Sequence, residues 1–351
     1  MRESDSSWAD MHKAGAALHG QSVSGASRVG KHCLYSSLCG LLLHRGIAAA
    51  EADLFLLAGS MNAEYEGELR PFGPGTFGDQ LRRITASGGP AIRVEAWDPQ
   101  DSDPHKLVKV LHSGYGTMLH VSSAALTYHE IYVINRARGH VIELHGLDAE
   151  SGDVHVSDSF LLDSSGQAFQ YTGTARLDDL LGGILDYAWL ALPPAALSPA
   201  RMYQACALHI RDYLTGRSDE PRFRKGDAAY RAFIADFQLL SGMNDQEFRH
   251  HCGEIYYQLR IGTALTLADY LHDYALLHED TLGAEVRLIA DRAKELYAGW
   301  HRLNLLIYKT GLQLDRRRVP AIINRANELA DQQYRLLEGL LPLVEHASQH
   351  E

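Results

Sequence analysis

Apolar residues change their spacing twice along this chain of 351 residues. The first regular stretch, Cys33-Leu-Tyr-Ser-Ser-Leu-Cys-Gly-Leu-Leu-Leu43, is nearly continuous in apolar and small side chains and reads as a buried helix that Gly46 ends. A second helix is expected over about 49–58. The segment 59–78, with Arg70-Pro-Phe-Gly-Pro-Gly75, is dense in turn formers and reads as a loop. Residues 77–86 read as a helix, 91–96 as a strand and about 104–111 as a helix. The period then falls to two: 117–122, 130–135, 140–147 and 153–156 read as successive strands between Gly, Asn, Arg and Ser-Gly punctuation. A further strand, about 186–192, ends in Leu192-Pro-Pro194. Beyond Pro194 the spacing is helical almost throughout, over 198–214, 226–240, 245–272, 281–310 and 319–345. The expected class is α+β. An arm over 1–27, rich in Ser, Gly and Ala, precedes a helix-on-antiparallel-sheet domain over 28–195, and an all-helical domain follows over 196–351. There is no internal repeat.

Composition narrows the functional classes. The hydrophobic share of 46% and charged share of 22% are those of an ordinary globular protein with room for a real core. No apolar run approaches the roughly 20 residues that span a bilayer. The first residues mix charges without an apolar core, so no signal peptide is read and a cytoplasmic protein is expected, with no membrane partner. A net charge of −11 argues against general nucleic-acid binding, which needs a basic face. Cys33, Cys39, Cys206 and Cys252 are too scattered for a disulfide framework and form no Cys-x-x-Cys pair, so no metal ligand set is expected. His250-His251-Cys252 does not change this, because neighbours on a helix diverge by about 100°.

The thiol that matters chemically is Cys33. Gly30-Lys31-His32-Cys33 places it in the first turn of the buried helix, where unpaired N–H groups and the positive dipole end favour thiolate over thiol. Cys39, mid-helix between Leu38 and Gly40, reads as core packing. About a hundred residues on, His140 opens the strand His140-Val-Ile-Glu-Leu-His145. Strand alternation puts His140 with the core-facing Ile142 and Leu144, and turns Val141, Glu143 and His145 the other way. Asp158 closes the next strand, where a carboxylate can orient an imidazole. His129 is the second choice for the base, and His32 reads as a solvated neighbour of the helix cap. Asp148 reads as a turn residue. Cys, His, then Asp on a helix and two strands is the order of papain-like cysteine enzymes. Those enzymes carry a Gln just before the Cys, whereas here the nearest one preceding it is Gln21, so only the Cys33 N–H is assigned as an oxyanion donor.

These residues resemble the amino-terminal domain of the butirosin biosynthesis protein H family. The resemblance rests on Gly30-Lys-His-Cys33 with Ser36-Ser37, on Leu41-Leu-Leu-His-Arg-Gly-Ile47, and on His140-Val-Ile-Glu-Leu-x-Gly146-x-Asp148 followed by Val154-x-Val156-x-Asp158. It covers about 28–195. The His and Asp strands are also similar to those of the bacteriocin-processing peptidases of ABC exporters. The resemblance implies an acyltransferase that takes an acyl or aminoacyl group from a carrier-protein thioester and forms an amide on an amine, in specialised metabolism. On that implication Cys33 carries the acyl group, His140 moves the proton and Asp158 orients His140. The phosphopantetheine belongs to the carrier substrate, so no resident cofactor is implied. The segment 56–65 keeps only an echo of the family's glycine-rich stretch, and Gly139-His140-Val141 replaces an aromatic start.

Two other classes fit the same residues. Water and an amine compete for one acyl-cysteine, so a peptidase or thioesterase is the first alternative. A helical binding protein with a degenerate cysteine-enzyme domain is the second. The loop 59–78 is a candidate wall or lid for the site. The basic runs Arg222-Phe-Arg-Lys225 and Arg316-Arg-Arg318 are candidates for docking an acidic carrier domain, with ordinary solvated surface as the plainer reading. Tyr256, Tyr257, Tyr270, Tyr274, Tyr297, Trp300 and Tyr308 read mostly as core, and the long helices near Thr281 and Val319 are where a homodimer would form.

Overall fold

The computed structural model describes residues 29–350 other than 114–115, 135–137, 149, 163–166, 192–197, 219 and 221. The arm expected over 1–27 lies outside them. The chain forms two compact units, Met1–Ala49 with Ala91–Pro194 and Ala50–Pro90 with Ala195–Glu351. Residues 50–90 group with the helices of the second unit and not with the sheet. Leu54, Phe55, Leu56 and Leu57 are buried there, Tyr270 donates to Glu51 (2.7 Å) and Asp53 pairs with His278 (2.7 Å).

The first unit runs α1 (Cys33–Leu43), β1 (Ile92–Ala96), α2 (Pro104–His112), β2 (Thr117–Ser122), α3 (Ile131–Ile134), β3 (Gly139–Leu147), β4 (Asp153–Leu162), β5 (Ala168–Arg176), α4 (Leu177–Leu181) and β6 (Ile184–Leu190). Six strands lie in the order β1-β6-β2-β3-β4-β5, and every pairing is antiparallel. Leu119 stands opposite Ile142 on one side and Tyr187 on the other, and Leu144 stands opposite Val156. These residues form one core with Leu107, Val108 and Leu111 of α2. Each fully buried leucine of this kind contributes about 2 kcal/mol.

The other face of β3 is buried as well, beneath α1. The Ser37 hydroxyl reaches the Val141 carbonyl at 3.5 Å, and Gly40 lies directly over the Glu143 carboxylate. A methyl group on Gly40 would stand 2.4 Å from a Glu143 oxygen. Glu143 is itself buried and cannot swing away freely. We therefore expect Gly40→Ala to destabilise the protein by about 1–3 kcal/mol despite the better helix propensity of alanine. An unchanged urea midpoint would refute that packing.

Three features depart from the sequence reading. Of residues 130–135, expected as a strand, Ile131–Ile134 form the short helix α3, with the His129 ring accepting from the Ile131 N–H at 3.2 Å, and residue 135 lies outside the described residues. β4 runs on to Leu162, through the polar Ser157-Asp158-Ser159 that broke the apolar pattern. β5 was not expected at all. It is an edge strand whose Thr, Gly and Gln positions carry little apolar signal. The α+β class itself, a helix on an antiparallel sheet followed by helices, is as expected.

In the second unit, helices Glu51–Leu57, Phe77–Ala86, Pro199–Thr215, Gly226–Asp236, Asp245–Arg260, Ala264–Leu277, Val286–Gln313 and Val319–His350 pack around Trp300, Tyr213, Tyr230 and Tyr274. The helix expected over 245–272 breaks at Ile261-Gly262, where Gly262 has φ +79° and its N–H donates to the Thr266 hydroxyl. Within the loop 59–78, Glu64–Tyr65 pairs with Phe72–Gly73 and with Arg224–Lys225. No helix among the described residues is long and apolar enough to cross a membrane.

Candidate active site

Cys33 is the first residue of α1 and is partly exposed as a free thiol. Its backbone N–H, like those of the next residues, has no acceptor within the helix. His32 is the N-cap, in extended conformation, and its Nδ1 accepts from the Leu34 N–H at 3.2 Å. The cap is therefore a neutral imidazole. Burial, with the nearby charge of His140 adding to it, pushes His32 down to about 4. The sequence reading of His32 as a cap neighbour is right, but its ring is buried and not solvated, tilted against Tyr35 at 5.0 Å. The turn before Cys33 is tied to β4 by the Gly30 N–H, which donates to the Ser159 carbonyl at 2.8 Å.

His140, at the start of β3, meets Cys33 on one side and Asp158 on the other. Its Nε2 donates to Asp158 Oδ1 at 2.9 Å, which leaves Nδ1 for the sulfur with which it is hydrogen-bonded. Burial alone would favour the neutral ring. The charge and hydrogen bond of Asp158, with a further contribution from Cys33, outweigh it and lift His140 to about 10. Asp158 has no exposed surface, and burial works against its charge. The His140 cation and the hydrogen bonds of Tyr132 and Tyr128 overcome that cost and hold the carboxyl below its ordinary value.

The two tyrosines complete an acceptor-only site. Tyr128 donates to Asp158 Oδ2 at 2.8 Å and Tyr132 donates to the same oxygen, while the Phe160 N–H approaches Oδ1 at 3.3 Å. Burial and the Asp158 charge push both phenols well up, so they remain donors. Tyr128 stacks on Tyr171 of β5 at 4.7 Å, and the Tyr132 ring lies 5.5 Å from that of His140. Sequence reasoning missed both tyrosines: it read Tyr132 into a strand over 130–135 and gave Tyr128, just before that segment, no role.

The other candidates sort cleanly. His129 caps α3 and packs on Phe169 at 5.2 Å. His120 pairs with Asp186 at 3.3 Å, and burial lowers it. Cys39 is buried, with its thiol 3.4 Å from the Ala49 carbonyl. Burial drives Cys206 to about 12 and Cys252 to about 11. Asp148 accepts from the N–H groups of Glu150 and Ser151 as a turn residue. Arg316 is engaged by Asp245 and by the Phe248 ring, and Arg317 and Arg318 pair with Asp315, so the second basic run is largely neutralised locally. Glu143, below Gly40, accepts from the Ser159 hydroxyl at 3.1 Å, and burial pushes it up to about 8.

Residues 32–159, a little over a third of the chain, match the family described as butirosin biosynthesis protein H, N-terminal. The match includes Cys33, His140 and Asp158. No curated protein matches the chain.

Proposed function

We propose that this chain, whose residues 32–159 belong to the butirosin biosynthesis protein H N-terminal family, is a biosynthetic enzyme that forms amides through an acyl-cysteine. What carries the reading is the hydrogen-bonded row Cys33, His140, Asp158, with a histidine held protonated at neutral pH beside the sulfur. In the reacting form of the site His140 carries the proton and Cys33 acts as the thiolate. The Cys33 sulfur attacks the carbonyl carbon of an acyl-thioester on the phosphopantetheine arm of a carrier protein. The oxyanion that forms accepts from the Cys33 N–H at the α1 N-terminus. The C–S bond to the arm breaks, and His140 delivers its proton to the departing thiolate. An amine then attacks the acyl-cysteine, its surplus proton passes to His140, and the amide leaves with the Cys33 thiolate restored. Asp158 keeps the imidazole in the tautomer and orientation that both steps use.

Intact mass after incubation with simple acyl-thioesters and acyl-loaded carrier proteins tests this. An acyl adduct is expected on the wild type, absent in Cys33→Ala and discharged by added amines. Discharge to water at the same rate with and without amine would replace transfer by hydrolysis. No adduct from any thioester would end the reading.

A further inference from the structure

Three metal-competent side chains of the first unit converge at the end of α1 away from the thiol. His44, at the C-cap of α1, and Glu143 and His145, both on β3, each present a donor atom, and the three atoms lie within 4.8 Å of one another. Cys33 and His44 are eleven residues apart on one helix, so the cluster stands on the order of 15 Å from the sulfur. The His44 and His145 rings are 4.4 Å apart, centre to centre.

Buried within this cluster is an unsatisfied nitrogen. His145 Nε2 is 3.2 Å from Glu143 Oε2, but the two groups are not aligned as donor and acceptor, and Nε2 has no hydrogen-bond partner. The His145 side chain is only 6% exposed and that of Glu143 1%. A buried ring nitrogen without a partner is costly in a folded protein and calls for an explanation. The other Glu143 oxygen is taken by the Ser159 hydroxyl, which fixes the carboxylate and leaves Oε2 facing the histidines. Gly40 leaves the space the carboxylate occupies, which any side chain on α1 would fill.

We propose that His44, Glu143 and His145 bind one zinc ion, which ties the C-terminal end of α1 to β3. Two imidazoles and one carboxylate are a familiar three-ligand zinc set, with water completing the tetrahedron. Bonds of about 2.0–2.1 Å in that geometry set donors about 3.4 Å apart, the spacing at which His145 and Glu143 already stand. His44 lies at the exposed edge and closes the remaining gap by rotating its side chain. Ser159 serves as the outer partner that orients the carboxylate. Such an ion clamps the far end of the helix that begins with the thiol, and takes no part in the chemistry at Cys33.

The test uses the full chain carrying Cys33→Ala, so that the thiol and His140 cannot capture the ion. After treatment with a chelator, calorimetric titration with zinc chloride should give one ion per chain and a rise in the thermal midpoint. Cobalt(II) in its place should give the visible absorption of a four-coordinate site. His44→Gln, which changes only an exposed side chain and leaves folding intact, should weaken zinc binding at least about 100-fold and remove the thermal shift. His145→Gln should do the same. Equal zinc affinity and stoichiometry in the parent and in His44→Gln would overturn the assignment, as would a parent chain that takes up no zinc.

Discussion

Replacing Asp158 by Asn should lower both acyl transfer and Cys33 alkylation by about 10³-fold, with the protein still folded. The carboxylate accepts from His140, Tyr128, Tyr132 and the Phe160 N–H, and has nothing to donate. Asparagine keeps one acceptor oxygen but adds an amide N–H₂. With the tyrosines still donating, that group turns toward His140 and forces Nε2 to become the acceptor. The ring proton then moves to Nδ1, the nitrogen that must exchange a proton with the sulfur. The charge that held His140 near 10 is also gone, so burial, now opposed only by Cys33, carries it down. The alkaline limb of the alkylation rate should therefore shift several pH units downward. A lower rate with an unmoved profile would mean that Asp158 only supports the fold. Stability should fall by about 1–3 kcal/mol for the mispaired buried donors.

Conformational stability should itself decline on the alkaline side because of the same pair. His140 is lifted from 6.5 in the unfolded chain to about 10 in the folded one, so the native state holds that proton more tightly. This stabilisation is fully present below pH 6.5 and is lost as pH rises through about 10. Asp158 has the opposite sense. Its carboxyl lies below the ordinary 3.8, so its contribution is present above that value and disappears as pH falls further. The contribution of this pair, measured by urea titration as the difference in unfolding free energy between wild type and His140→Gln, should thus be greatest between about pH 4 and 6.5 and fall by about 4 kcal/mol toward pH 10. His140→Gln should flatten the alkaline decline. A wild-type profile that is level from pH 6.5 to 10 would contradict the ion pair.

Much of this site was legible as a string of residues. Cys33 sits where polar Gly-Lys-His meets a continuous apolar helix, and that local boundary fixes the thiol at a helix N-terminus in any fold. His140 opens and Asp158 interrupts strands of clear period two. What could not be read was the far side of β3. Val141, Glu143 and His145 alternate with the core residues as a solvent face would, yet α1 covers that face, so Glu143 is buried and His145 joins His44. Nor could the local pattern show that Ile131-Tyr-Val-Ile134 abandons its strand propensity. A short helix there carries the Tyr132 hydroxyl, with that of Tyr128 just before it, to a carboxylate some thirty residues away.

The sequence alone therefore determined most of the elements and the α+β class, carried the family resemblance over about 28–195, and singled out Cys33, His140 and Asp158 as candidates. All of these depend on periodicity and short motifs, which are local. Only the tertiary structure decided which ionisable groups share a low-dielectric interior, and so which histidine stays protonated, which is neutral and which carboxylate is never alone. Those outcomes depend on burial and on distances of about 3 Å between segments far apart in the chain, where desolvation and a single opposing charge are each worth several kcal/mol.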